Sequence, residues 1–369
     1  MSSKKQEPDQ ETFEVPAALI VTSGDPAGIG PEVVHKAIKR LQRKQELLHA
    51  RPIIVVGDAY LFARHMDKAT SMHAYHIVPC DDFLHDPAYL FHHLMPKPDS
   101  PWRPIFLDCG EKSEDAFSLG EGNKFSAERA LVYLGAIADL LSENLADAVC
   151  TGPIHKAMAA KAGFPYPGQT EMFGDMYGVE HPVMMLVGGG LRVSLATIHV
   201  PLADVPRLLT RKVVRHTLDI TLHALQEEFG IADPRVAVCG LNPHAGEDGK
   251  FGAEDRKVIR PVVMDARRDG WKVDGPLSAD TVFALARKGR YDAVIAMYHD
   301  QGLIPVKTLA FDQGVNLTLG LPIVRTSPDH GTAFDIAGKH EADEGAMVEA
   351  MLLAHSLATR RAEKAGKAN

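Results

Sequence analysis

The strongest constraint on the fold lies between residues 293 and 331. Ala293-Val294-Ile295-Ala296-Met297 is an unbroken apolar run of strand length. Tyr298, His299 and Asp300 follow it at once, and Lys307, Asn316, Arg325 and His330 come soon after. A buried strand that delivers polar groups at its carboxyl end is the pattern of an open α/β sheet, where ligands gather. Asp300 suits the N-cap of a helix that starts at Gln301. Burying such polar groups without partners costs about 1–3 kcal/mol each. The passage therefore predicts that they converge on a small, polar, anionic ligand.

The same alternation recurs along the chain. Apolar strand-length runs fall at 17–22, 52–56, 104–107, 146–150, 235–239 and 271–273, each followed by a turn and most by helical spacing. After Pro31, the residues Val33, Val34, Ala37, Ile38 and Leu41 give a helix one apolar face. Ser126 is the expected cap of a helix running to about 144, with Leu131, Leu134, Ala138 and Leu141 inward. Further helices are expected at 211–229, 253–269, 279–288 and 343–361. Two runs at 182–187 and 191–197, joined by Gly188-Gly189-Gly190, predict a β-hairpin, read as the mark of a second subregion and of a dimer arm. The pattern predicts an α/β fold, two-lobed, with largely parallel sheets and helices on both faces. Residues 1–16 read as a flexible tail. Residues 17–369 read as one two-lobed unit, lobe A about 17–150 plus 300–369 and lobe B about 151–299.

Composition excludes several roles. A net charge of -8 and a pI near 6.1 argue against nucleic acid, whose phosphates need a basic partner. No apolar run approaches the ~20 residues that span a bilayer, and the polar N-terminal stretch with Lys4 and Lys5 lacks the apolar core of a signal peptide. Cys80, Cys109, Cys150 and Cys239 are far apart and form no CxxC pair, as expected of free thiols in a reducing cytoplasm.

Five motifs carry chemistry, each with a plainer alternative. Gly24, Gly28 and Gly30 form a loop that matches neither a dinucleotide fingerprint nor a P-loop. It is either a tight strand-to-helix turn, or Asp25 and Glu32 help build a cleft. Thr151-Gly152-Pro153-Ile154-His155-Lys156 sets an imidazole and a cation at a helix start, which favours anions or simply caps the helix. His199 and His299 both follow strands, so they are structural or they share a divalent metal. Asn242 to Glu247, with His244 between, has the composition of an active-site loop and equally of an ordinary turn. Lys307, Asn316 and Arg325 combine a point charge, an amide and a fork suited to phosphate or carboxylate.

Taken together, the stretches 23–32, 151–156, 168–171, 197–202, 242–247, 298–302 and 315–331 resemble the 4-hydroxythreonine-4-phosphate dehydrogenases of pyridoxal phosphate biosynthesis. The first glycine loop is also similar to that of the wider isocitrate and isopropylmalate dehydrogenase group. The resemblance covers about residues 17–355. It implies a homodimer with the active site shared at the interface, NAD or NADP as oxidant, and a divalent metal (zinc, magnesium or cobalt). It implies substrate contacts at His155, Lys156, Lys307, Asn316 and Arg325, and metal contacts at His199 and His299. The family pattern Gly-His-Thr-Glu is here Gly168-Gln169-Thr170-Glu171, so Gln169 stands at the third metal position. The implied reaction is metal-dependent oxidative decarboxylation, with Lys307 and His155 as candidate bases. Related substrates are threonate or erythronate phosphates and cis-dihydrodiol carboxylates. The reading of another class is an inactive protein that binds a small anion.

Overall fold

The computed structural model describes residues 18–42, 52–66, 72–85, 103–110 and 117–367. The expected tail at 1–16 lies outside them. The apolar runs become strands: β1 (Ala18–Thr22), β2 (Ile53–Gly57), β3 (His76–Pro79), β4 (Ile105–Asp108), β5 (Ala146–Cys150), β6 (Val183–Gly188), β7 (Leu191–Leu195), β8 (Arg235–Cys239), β9 (Lys272–Leu277), β10 (Ala293–Ala296), β11 (Val315–Leu319) and β12 (Val324–Pro328). They form one twelve-stranded sheet in the order β3-β4-β2-β1-β5-β12-β11-β6-β7-β10-β8-β9. Only the pairings β12/β11, β11/β6 and β6/β7 are antiparallel. Two parallel halves are therefore joined through an antiparallel middle. β1, β2 and β10 are buried along their whole length, because helices cover both faces of each parallel half.

Each half has a core on either side of the sheet. In the first half, helix Gly30–Gln42 places Val33, Val34, Ala37, Ile38 and Leu41 against one face, beside Met347, Val348 and Met351 of helix Gly345–Lys367. Each such aliphatic side chain contributes about 1.5–3 kcal/mol by leaving water. Helix Lys124–Ser142 covers the opposite face with Tyr133, Leu134, Ile137 and Leu140. In the second half, helices Arg211–Glu227 and Arg260–Arg268 pack on one face, and Ala279–Arg287 and His299–Ala310 on the other.

Four local readings are corrected. The helix expected from Ser126 starts three residues earlier: Asn123 is its cap, accepting from the Ser126 N–H at 2.9 Å, while Ser126 Oγ accepts from the Asn123 N–H at 3.1 Å. Its buried stripe accordingly runs through Tyr133, Ile137 and Leu140, and Leu131 and Ala138 are only half-buried. The β6–β7 hairpin is no projecting arm. β6 pairs with β11 and β7 with β10, so both strands are interior to the sheet. Asp300 is not a cap: helix His299–Ala310 begins two residues earlier than expected, with Tyr298 at its N-cap.

Candidate active site

The antiparallel middle of the sheet builds one wall of a cavity of about 830 Å3, within the usual range for small-molecule sites. The reason is register. Asn316 pairs with Ser327 and Thr318 with Arg325 across β11 and β12. Alternation sends these four side chains to one face and Leu317, Leu319 and Val324 into the core behind. Asn316, Arg325 and Ser327 line the cavity.

The opposite wall comes from the ends of β7 and β10. These neighbours run parallel, with Leu195 beside Ala296. The register is locked by the Ala196 N–H to Ala296 O at 2.8 Å and by Thr197 Oγ1 donating to Met297 O at 2.7 Å. His199 and His299 thus leave the sheet side by side, their ring centres 5.6 Å apart. His299 Nδ1 meets Asp300 Oδ1 at 2.7 Å. That contact leaves Nε2 of His299 as the free nitrogen, the arrangement that orients a metal-binding imidazole. Burial, with Lys156 and His299 nearby, lowers the pKa of His199 and keeps it neutral.

Arg325 is only 4% exposed. Its Nη2 donates to Thr151 Oγ1 at 2.7 Å and to Gln169 Oε1 at 2.8 Å. Its Nη1 reaches Thr318 Oγ1 at 3.2 Å and Thr170 Oγ1 at 3.3 Å. Every one of these partners is neutral, and Nε has none among the described residues. Burial pushes the guanidinium down to about 10. Glu171 on the rim offsets part of its charge, but a buried cation hydrogen-bonded only to neutral groups on a cavity wall is a site for an anion. Asn316 adds a buried Oδ1 with no partner, ready to accept from a ligand. Lys307 Nζ lies 3.1 Å from Asp329 Oδ2 and 3.2 Å from Asp329 O. Lys156 and Glu171 complete the rim.

Not every singled-out residue reaches the cavity. His155 caps helix Lys156–Lys161, its Nδ1 accepting from the Met158 N–H at 3.2 Å, and its ring stacks on Phe334 at 5.5 Å. It is not among the lining residues. Asp25 and Glu32 do not line it either. Asp25 accepts from the Ala27 N–H at 3.0 Å, and Glu32 ties Lys36 at 2.7 Å to the Ala342 N–H at 3.0 Å. The glycine loop is the tight turn: Gly24 has φ +72°, and a Cβ there would run into the Pro153 carbonyl. His244 and Glu247 sit in a left-handed turn with φ of 51° and 41°, held beside Asp255, and they too lie outside the lining.

His330, expected among the converging polar groups but given no role there, does line the cavity. His330 Nδ1 lies 3.0 Å from Gly331 O, so Nδ1 carries the hydrogen and Nε2 the lone pair. That Nε2 is buried without a partner, and burial lowers the pKa of the ring. The sequence offered the residue but no signal for its tautomer.

The two imidazoles fit a divalent ion. With metal–nitrogen bonds of about 2.0–2.1 Å, two imidazoles on one tetrahedral ion have ring centres roughly 5–5.5 Å apart, close to the observed 5.6 Å. Gln169 Oε1 accepts from Arg325 Nη2 at 2.8 Å, so an ion that met this oxygen would share it with a guanidinium. Among the described residues, no three His, Cys, Asp or Glu side chains converge on one point.

The proteins this chain is similar to place it in the class of dehydrogenases, oxidoreductases that act on a CH–OH group. The family model of the pyridoxal phosphate biosynthetic protein PdxA matches residues 49–354. The chain belongs to that family. It is 40% identical over 360 residues to the 4-hydroxythreonine-4-phosphate dehydrogenase of Ruegeria sp. (strain TM1040), covering 94% of this chain and 98% of the relative. It is 43% identical over 352 residues to that of Erythrobacter litoralis (strain HTCC2594), covering 94% and 98%. Among solved structures, the 4-hydroxythreonine-4-phosphate dehydrogenase of Klebsiella pneumoniae is similar with a TM-score of 0.75 and 33% identity, covering 93% of this chain and 98% of that one. A terephthalate 1,2-cis-dihydrodiol dehydrogenase from Burkholderia xenovorans LB400 is similar at a TM-score of 0.59 and 30% identity, covering 92% and 98%. No helix of the described residues is long and apolar enough to cross a membrane.

Proposed function

We propose that this chain oxidises 4-hydroxythreonine 4-phosphate with NAD or NADP and releases carbon dioxide, leaving 3-amino-2-oxopropyl phosphate. The observation that carries the reading is Arg325: a buried guanidinium with only neutral partners, across the cavity from two imidazoles. Such a pocket selects a small acid that also carries a chelating hydroxyl.

Arg325 takes one anionic end of the substrate through its fork, and Lys156 and Lys307 supply point charges for the rest. Asn316 Oδ1 accepts a hydrogen bond from a substrate donor, which fixes orientation. His199 and His299 would hold a divalent ion, zinc, magnesium or cobalt, which supplies a Lewis acid for the hydroxyl that is oxidised. The nicotinamide supplies the hydride acceptor. The hydroxyl proton goes to a base, and His330 Nε2 suits that part, being neutral, unpartnered and on the cavity wall. His155 suits it less, because its Nδ1 lone pair is spent on the helix cap. Lys307 remains a point charge beside Asp329.

Ile304 and Phe311, 63% and 75% exposed, stand at the mouth of the cavity on helix His299–Ala310 and its end. Apolar side chains placed there support a homodimer in which a second copy closes the site. A cytoplasmic enzyme fits the four unpaired cysteines.

The test is NAD(P)H production by the purified protein with 4-hydroxythreonine 4-phosphate, then with threonate and erythronate 4-phosphates and a cis-dihydrodiol carboxylate. The reading expects the first to be turned over with the highest kcat/KM. Preference for another of the panel reassigns the substrate. No reduction with any of them leaves an anion-binding protein.

A further inference from the structure

We propose that Cys80 and Cys109 are a redox-active pair that closes to a disulfide under peroxide and reopens with a dithiol. Strands β3 and β4 run parallel, with Val78 beside Leu107 and Pro79 beside Asp108. One step further along both strands stand Cys80 and Cys109. Alternation puts them on the face of Val78 and Leu107, and both cysteines pack against that core. Neighbouring strands lie about 4.7–4.9 Å apart, inside the roughly 4.4–6.8 Å between Cα atoms that a disulfide spans. The two thiols already hydrogen-bond to each other. Their main chains are held in place. The Cys109 N–H donates to Gly57 O at 2.9 Å, Cys109 O accepts from Arg129 Nη2 at 2.6 Å, and Cys80 opens helix Cys80–His85.

The two sulfurs are unequal. The hydrogen bond from Cys109 lowers the pKa of Cys80, against burial and the carboxylates of Asp81, Asp139 and Asp108. The same contact, with burial, raises that of Cys109. Cys80 is therefore the thiolate that attacks and Cys109 the thiol that resolves. The Cys80 thiolate takes one oxygen of hydrogen peroxide, breaking the O–O bond and releasing hydroxide, and becomes a sulfenic acid. The Cys109 sulfur then attacks the sulfenic sulfur, and its proton leaves with the hydroxyl as water. The sulfur pair gives up two electrons and the peroxide takes them. Cys150 and Cys239 are fully buried, and burial raises the pKa of both, so they stay reduced. In a reducing compartment such a bond is transient and redox-sensing. Closed, it fastens β3, at the edge of the sheet, to its neighbour.

Treatment of the purified full-length protein with hydrogen peroxide tests this, read by alkylation under denaturing conditions and peptide mass mapping. Four free thiols are expected before treatment and two after it. One cross-linked peptide should join Cys80 to Cys109 and disappear on adding dithiothreitol. Cys109→Ala should leave the Cys80 sulfenic acid standing, so dimedone labels Cys80 in that variant and not in wild type. Cys80→Ala should leave Cys109 a thiol at the same peroxide dose. Thiol loss without that cross-link, or a cross-link that uses Cys150 or Cys239, overturns the proposal. Dimedone on Cys109 of Cys80→Ala, with none on Cys80 of Cys109→Ala, overturns the order of attack. Should either variant fail to fold, the wild-type cross-link decides alone.

Discussion

Replacing Arg325 with methionine separates a binding role from a structural one. Removing one partner of a buried ion pair ordinarily costs about 3–5 kcal/mol, because the other charge is stranded. Here no charge is stranded, since the guanidinium meets only Thr151, Thr170, Thr318 and Gln169. Burial pushes its pKa down to about 10. At 1.36 kcal/mol per pH unit below an ordinary value above 12, the charged form costs the fold about 3 kcal/mol. That penalty is fully present below pH 10 and fades only as the group deprotonates above it, so it applies at pH 7. Arg325→Met relieves it and leaves mainly the Gln169 oxygen without a donor, a loss of about 1–3 kcal/mol; the threonine hydroxyls can rotate to other partners. The two effects nearly cancel. The variant should melt within a few degrees of wild type by calorimetry. Its KM should rise by about 30-fold or more, because a buried charged hydrogen-bonding partner is worth about 2–5 kcal/mol to its ligand. A collapse in Tm would make Arg325 a structural residue, and an unchanged KM would remove it from the site.

Other outcomes follow from the same cavity. His199→Ala and His299→Ala should each abolish measurable turnover and Co2+ binding while leaving the circular dichroism spectrum intact; retained turnover in chelator-treated buffer would end the metal role. His330→Asn should lower kcat by about 100- to 10,000-fold, the span of general-base catalysis, with KM changed far less. A parallel rise in KM would mark it instead as a binding group. Burial lowers the His330 pKa, and a base must be neutral to act. The acid limb of kcat/KM against pH should therefore fall below about 6.5, the ordinary imidazole value. A limb well above that value would assign it to another group.

Much of this was legible in the sequence. The run before Tyr298 and the polar groups after it did mark a strand end on the cavity, and His199 meets His299 because their strands are parallel neighbours. Composition could not supply the register. That Asn316 and Arg325 share a wall depends on how β11 pairs with β12. The alternation Asn316, Thr318 and Arg325, Ser327 hinted at it, but a period-2 pattern does not name its partner strand. The hairpin at β6 and β7 read as an arm, because a local pattern says nothing of what its outer edges meet; here β11 and β10 take both. The helix caps moved because Asn123 and Tyr298 compete with Ser126 and Asp300, three and two residues away. That the Gln169 amide bridges Gly152 and Arg325 was not legible either, because Gln169 and Arg325 are 156 residues apart in sequence.

The central claim is spatial: one ion on His199 and His299, one substrate anion on Arg325, within the same cavity. Anomalous diffraction at the cobalt edge, from crystals soaked with Co2+ and 4-hydroxythreonine 4-phosphate, measures it directly. The account predicts a cobalt peak within about 2.0–2.2 Å of a nitrogen of each imidazole, with an anionic group of the substrate on the Arg325 fork. Cobalt bound away from this pair, or a substrate that leaves Arg325 untouched, would contradict it.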